Sequence, residues 1–350
     1  PRHTGGVEFE MLHISNAKCC NGRSRFFMDR LLLTLGIIFV SLAAGYAFRH
    51  AVTAGRVRLS EETMTVARQR LQTAAVFVLI PISAMLSLWG LPSPDTRLLA
   101  LPLLGLAAWI WGGALSLLFA HWLRLDRAQT GSLYCCGTFT NIGAVGSLVC
   151  VLFLGESAIA LVALYRLCEE LFYFSVSFPI ARWYSRENDG RRLSFRNLRF
   201  DPILKVVLSA LLLGIALNLL HVPRPEFCGH LASGFMILAT VLFLFAIGLS
   251  LRLSRLARYT RQSLAVCAIK FIGVPLLITG IAKAVGYGAI DNGLPLKVVA
   301  VLSSMPVAMT ALVPPSLFRL DLDLANACWI FSTLALVAVL PALLLVLPRL

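Results

Sequence analysis

Charge is what this 350-residue sequence has least of. Asp, Glu, Lys and Arg together make up 14% of it, while 58% is hydrophobic and the mean hydropathy is +0.82. A soluble domain carries roughly 25% charged residues. The deficit excludes an ordinary soluble chain and suits a lipid-facing one, because a charge at mid-bilayer costs several kcal/mol. Negative charge is scarcer still: 17 Asp and Glu stand against 31 Lys and Arg, a net +14. Such an excess would fit nucleic acid, but the cations fall in gaps between apolar runs, where a membrane protein's cytoplasmic loops carry them. A nucleic-acid partner is therefore not expected.

Catalytic and metal signatures are absent as well. No Cys-x-x-Cys spacing occurs among the nine cysteines, Cys19, Cys20, Cys135, Cys136, Cys150, Cys168, Cys228, Cys267 and Cys328. Six lie inside apolar runs, so they read as small packing residues and not as a zinc site or disulfide framework. There is no Gly-rich phosphate loop, nucleophile elbow or His-Glu-x-x-His. The expectation is no enzyme, no metal and no cofactor, with any work driven by an H+ or Na+ gradient or done passively. Residues 1–27 are polar and aperiodic and lack the apolar core and cleavage site of a signal peptide. They read as a tail, with Met28-Asp29-Arg30 as a natural start.

What the chain does have is long apolar runs, near 31–48, 71–91, 98–120, 132–154, 157–181, 203–221, 231–251, 263–285, 296–317 and 324–347. A spanning helix needs about 20 mostly apolar residues. Spanning strands would be shorter and alternating, so the reading is an all-α integral membrane protein of about ten helices. The gaps after the odd-numbered runs, with the run ends beside them, hold 19 Lys and Arg; those after the even-numbered runs, with their run ends and the C-terminal end, hold 5. This bias puts both termini on the non-cytoplasmic side of the cytoplasmic (inner) membrane. The tail opposes it with Arg2, Lys18, Arg23, Arg25 and Arg30. A basic loop at 185–202 divides the runs into five (28–184) and five (203–350). Five being odd, the second half would be inverted, a plan common in secondary transporters. Phe178-Pro179 and Leu340-Pro341 echo one another at the ends of the two halves.

The fourth and ninth runs are interrupted. The fourth carries Gly137, Thr138, Thr140, Asn141, Gly143, Gly146 and Ser147 near its middle; the ninth carries Ser303-Ser304-Met305-Pro306 and then Pro314-Pro315. Glycine weakens a helix and proline removes a backbone bond. Read separately, these are a small-residue packing face and a kink. Read together, at corresponding places in two halves, they predict two broken helices crossing, with half-helix ends and unwound carbonyls to hold a solute.

Three sets of polar residues stand out further. Lys270 lies within the eighth run, and an intramembrane lysine implies a partner. It could meet a carboxylate substrate, mimic a bound sodium ion, pair with carbonyls of a broken helix, or snorkel. Arg166, Glu169 and Glu170 share a face of the fifth run, either as an internal ion pair or as groups coupling transport to a proton. His121 and Asp126 have the His-x4-Asp spacing of glycerolipid acyltransferases, but stand in a short loop without a soluble domain.

The stretch from Thr138 to Tyr184 resembles the auxin efflux carrier family, which includes malonate-transporter-like bacterial proteins. That family's fourth helix reads Asn-x-Gly-x-x-Gly-x-Pro before a Phe-Gly-Glu-like turn. This chain has Asn141-x-Gly143-x-x-Gly146, then Phe153-Leu154-Gly155-Glu156. Gly45-Tyr46, Ala246 to Leu251, Lys270 with Pro275, Met305-Pro306 and Pro341 fit too, so the resemblance spans roughly residues 30–347. It departs at Leu148, where the family has proline. The resemblance implies an inverted-repeat fold like that of bile-acid symporters and sodium–proton antiporters. Runs 1, 2, 6 and 7 would form a scaffold beside a transport core of runs 3–5 and 8–10, often in a homodimer.

The expected function is thus a secondary transporter of a small organic anion, a carboxylate. Asn141, Gly143 and Gly146 would form one half of its binding site, Met305 and Pro306 the other, with Lys270 as positive charge and Thr140 and Ser304 nearby. Arg166, Glu169 and Glu170 are candidates for coupling. A receptor or sensor of the same fold, and a lipid-modifying membrane enzyme based on His121, are the alternatives.

Overall fold

The computed structural model describes residues 5–56, 60–90, 96–185, 202–249 and 256–350. Among them no strand forms; the single extended pairing is an isolated antiparallel bridge between Thr140 and Val307. The helices in chain order are α1 (Gly5–Thr53), α2 (Glu61–Ala74), α3 (Ile80–Trp89), α4 (Leu101–Trp122), α5 (Arg127–Thr138), α6 (Ser147–Leu154), α7 (Ser157–Tyr165), α8 (Glu169–Phe172), α9 (Phe178–Trp183), α10 (Pro202–Leu219), α11 (Phe227–Gly248), α12 (Thr260–Ala268), α13 (Val274–Ala284), α14 (Leu294–Ser303), α15 (Val313–Leu317) and α16 (Leu322–Val346). Five-residue π turns join α2 to α3, α8 to α9 and α12 to α13, and another, Ile142–Gly146, leads into α6. Most of the basic loop at 185–202, and with it Arg186 to Arg199, lies outside the described residues.

Among the described residues each apolar run is mostly helical. Five stretches there are long and apolar enough to cross a membrane: Asp29–Thr53, Thr96–Trp122, Phe227–Gly248, Leu256–Ala284 and Leu322–Arg349. Only 28% to 44% of their apolar windows is buried. Much of the rest is apolar surface facing outward, with Leu103 63%, Leu276 72% and Leu345 71% exposed. An exposed apolar surface on this scale needs a lipid solvent. The chain is an all-α, membrane-embedded protein.

Two departures from the sequence reading matter. The polar stretch before Met28 continues α1 as helix from Gly5, since extending an existing helix avoids the cost of a new nucleus. The fifth run is not one helix. Arg166, Leu167 and Cys168 form a tight turn between α7 and α8, in which Leu167 N donates to Leu164 O and Glu169 N to Arg166 O. The tightening leaves Arg166 and Glu169 side by side.

The helices pack in two groups. In one, α11 lies against α1, α2 and α3, and α10 against α3. Gly45 and Gly248 bring α1 and α11 together. A Cβ on Gly45 would meet Phe245 O at 2.1 Å, and one on Gly248 would meet Leu42 O at 2.3 Å. In the other group α4 packs on α5, α12 and α5 on α16, α13 on α14, and α6 and α7 on α14. Two helices of this second group begin with aspartate caps. Asp126 accepts from Gln129 N at 2.8 Å at the start of α5, and Asp321 from Leu324 N at 2.9 Å at the start of α16. Each cap satisfies an amide that the first helical turn leaves without a partner.

Candidate functional site: two broken helices joined at their breaks

α5 stops at Thr138, and Phe139 is extended, with φ −76° and ψ 118°. Helix resumes at Ile142. α14 stops at Ser303, and the chain stays open until Met309. An open backbone away from water must still pair its amides and carbonyls. Here each break supplies what the other lacks. Asn141 N donates to Pro306 O at 2.8 Å and Ala308 N to Phe139 O at 3.1 Å, on either side of the Thr140–Val307 bridge. Pro306, without an N–H, gives its carbonyl to the pair and asks for nothing back.

Two further amides are met by side chains. Thr140 N donates to the Tyr173 hydroxyl at 3.3 Å, and Val307 N to Ser332 Oγ at 3.2 Å. Asn141 Oδ1 accepts from Val145 N at 3.3 Å, capping the turn that leads into α6. Phe139, Thr140, Asn141, Met305 and Val307 are all buried. The ring of Phe139 lies 4.0 Å, centroid to centroid, from that of Tyr173, and that of Trp109 lies 5.6 Å from it.

Lys270 closes the first break. It sits in the π turn between α12 and α13, 1% exposed. Its Nζ donates to Thr140 Oγ1 at 2.6 Å and to Thr138 O at 3.5 Å. The C-terminal end of a helix carries partial negative charge on carbonyls without helical partners. An ammonium there counters that charge, so of the roles open to Lys270 the geometry provides the pairing with a broken helix.

Arg166 borders the second half-helix. Its Nε donates to Glu169 Oε2 at 2.6 Å; Glu169 Oε1 accepts from the Tyr173 hydroxyl at 3.2 Å. A Cβ on Gly143 would stand 2.6 Å from Arg166 Nη1 and 3.2 Å from Nη2, so the guanidinium lies against that glycine. One polar line therefore runs from Arg166 through Glu169, Tyr173 and Thr140 to Lys270. The Glu170 side chain lies outside the described residues.

Of the residues singled out from sequence, Thr140, Asn141, Pro306 and Lys270 meet directly. Gly146 faces Leu302 and Met305, where a Cβ would come within 3.0 and 3.1 Å. Ser304 turns its hydroxyl back to Ala300 O at 2.7 Å. Leu148 is fully buried in a helix that runs on from Ile142 to Leu154, so the break ends at Asn141 and does not fall at 148. Asp126 is the cap of α5, and His121 stands exposed in the last turn of α4. Tyr173 and Ser332 escaped the sequence reading. Tyr173 was accessible through its spacing, four residues after Glu169 and so on the same helix face. Ser332 carried no such sign. Comparison with protein-family models and with curated proteins finds no match for this chain.

Proposed function

We propose that this protein is a secondary transporter, of the auxin-efflux-carrier kind, for a small organic anion bearing a carboxylate. The observation that carries the reading is the joining of two helix breaks by Asn141 N to Pro306 O and Ala308 N to Phe139 O. Unwound backbone within an apolar bundle is costly unless it is paired or lines a polar cavity, and transporters place solute sites at such junctions. The resemblance in Asn141, Gly143, Gly146, Met305 and Pro306 points the same way. So does the placing of the breaks in the fourth and ninth of ten runs, as an inverted five-plus-five repeat requires. Two cationic side chains, Lys270 and Arg166, border the junction, which favours an anion. In this reading all ten runs cross the cytoplasmic membrane, and the first half of the chain mirrors the second.

The test is uptake of labelled malonate, with other small carboxylates as competitors, into proteoliposomes carrying wild-type protein or Asn141→Ala. Saturable uptake that falls at least tenfold in the variant is expected. Absence of flux under sodium, proton and counterflow conditions would remove carboxylate transport from consideration.

A further inference from the structure

The two helix groups meet along α6 and α7, which pack on α1, α3 and α11 of the first group. At the corner between α6 and α7 the contact is polar. Arg224, just before α11, donates from Nη2 to Glu156 Oε1 at 2.6 Å. Arg30, at the start of the first apolar run, donates from Nη1 to Phe153 O at 3.3 Å. A Cβ on Gly229 would stand 2.5 Å from Glu156 Oε2, and one on Gly90 would run into the Arg224 guanidinium. The guanidinium thus bridges the end of α3 and the α6–α7 corner. Every segment gathered here begins the first run or belongs to a gap after an even-numbered run, so charge bias assigns them all to the non-cytoplasmic side.

Below the pair lies an apolar seam between the groups. Leu86, Cys228, Ala232 and Met236 of the first pack against Val151 and Ile159 of the second. Deeper still, the Thr240 hydroxyl of α11 donates to Ala144 O at 3.2 Å, three residues past Asn141. The seam therefore runs from the ion pair down to the junction of the two broken helices. The paired side chains are 18% and 30% exposed. Such a pair adds little to stability, so it is cheap to break, while it fixes which surfaces meet.

We infer that the Arg224–Glu156 ion pair is the latch that holds the two helix groups shut over the non-cytoplasmic path to the junction. Opening separates the guanidinium from the carboxylate and parts the seam beneath them, as domain closures of the shear and hinge kind do. The role of the latch in solute release rests on the transport reading.

Two native cysteines report on this. Cys228 lies in the seam beside Gly229 and is 3% exposed; Cys136, in α5 of the second group, is fully buried. The full chain in nanodiscs is treated with a membrane-impermeant maleimide, and modification of each cysteine is followed by peptide mapping. The proteins are wild type, Glu156→Gln, Arg224→Gln and the double variant; malonate flux is measured in parallel in proteoliposomes. Cys228 should react slowly in wild type and roughly threefold faster in either single variant, as the open population grows. The double variant should react no faster than the singles, because one interaction is lost in all three, and Cys136 should stay protected throughout. A Cys228 rate that is already fast in wild type, unchanged in both single variants, multiplied in the double, or matched by Cys136 would overturn the latch, even where wild type carries malonate. Faster Cys228 modification in the variants without malonate flux in wild type would uphold the latch between the groups and sink carboxylate transport.

Discussion

Tyr165 and Tyr173 lie two turns apart in the fifth run and differ in one respect that decides their worth. The Tyr173 hydroxyl donates to Glu169 and accepts from Thr140 N; the Tyr165 hydroxyl, equally buried, has no hydrogen-bond partner among the described residues. Tyr173→Phe leaves a carboxylate oxygen and a backbone amide short of a bond, so it should lower stability by about 1–2 kcal/mol. Tyr165→Phe removes a polar atom that bonds to nothing and should be neutral or slightly stabilising. Thermal unfolding of the two variants in the same detergent checks the contrast, and equal losses would contradict it. Gly143→Ala tests the other end of the polar line. The added methyl meets the far end of a flexible side chain, so the guanidinium can yield without unfolding the bundle. Unfolding should shift by less than about 1 kcal/mol; a larger loss would mean that the guanidinium cannot yield.

At the level of elements, the sequence showed where helices had to stop and not how the stops would be repaired. Glycine, threonine and asparagine in the fourth run, and Met305-Pro306 in the ninth, marked the two interruptions, because those residues weaken or break helical bonding in any context. Their meeting was inferred from paired positions, and the structure adds the Thr140–Val307 bridge with its flanking bonds. The turn at Arg166 to Cys168 was illegible. No glycine or proline marks it, and the ion pair of Arg166 with Glu169, three residues on, suits a continuous helix as well as a turn. Lys270 was ambiguous for another reason: its partners, Thr138 and Thr140, lie 132 and 130 residues away in sequence. The helix from Ile142 to Leu154 also yields a prediction about position 148. Leu148 is fully buried in the interior of that helix. Leu148→Pro would remove a backbone bond and clash with the preceding turn, costing roughly 3 kcal/mol. Reduced unfolding temperature and lower yield of monodisperse protein are the expected result; full stability would mean that the backbone at 148 is already outside the helical ladder.

For the whole molecule the governing asymmetry is charge, not shape. Five helices are long and apolar enough to cross a bilayer, and their outward faces are apolar, but apolar faces do not tell one side of a membrane from the other. The 19 cations in and beside the gaps after odd-numbered runs, against 5 in and beside those after even-numbered runs and at the C-terminal end, do. Each positive side chain near a helix end resists translocation, and the resistance adds over short loops. The expected orientation therefore places Leu350 and the gap containing Arg224 on the non-cytoplasmic side, and Arg124 with Arg258 on the cytoplasmic side. Single cysteines at Arg224 and Arg258, in a background lacking the native cysteines, should differ in labelling by a membrane-impermeant maleimide applied to intact cells: the first labelled, the second only after permeabilisation. The Arg224 position needs one precaution. Its guanidinium is bonded to Glu156 at 2.6 Å, so a neighbouring site such as Val222 provides the matched reading. If 222 and 258 label alike, the number of crossings between them is even, and the inverted five-plus-five arrangement fails with it.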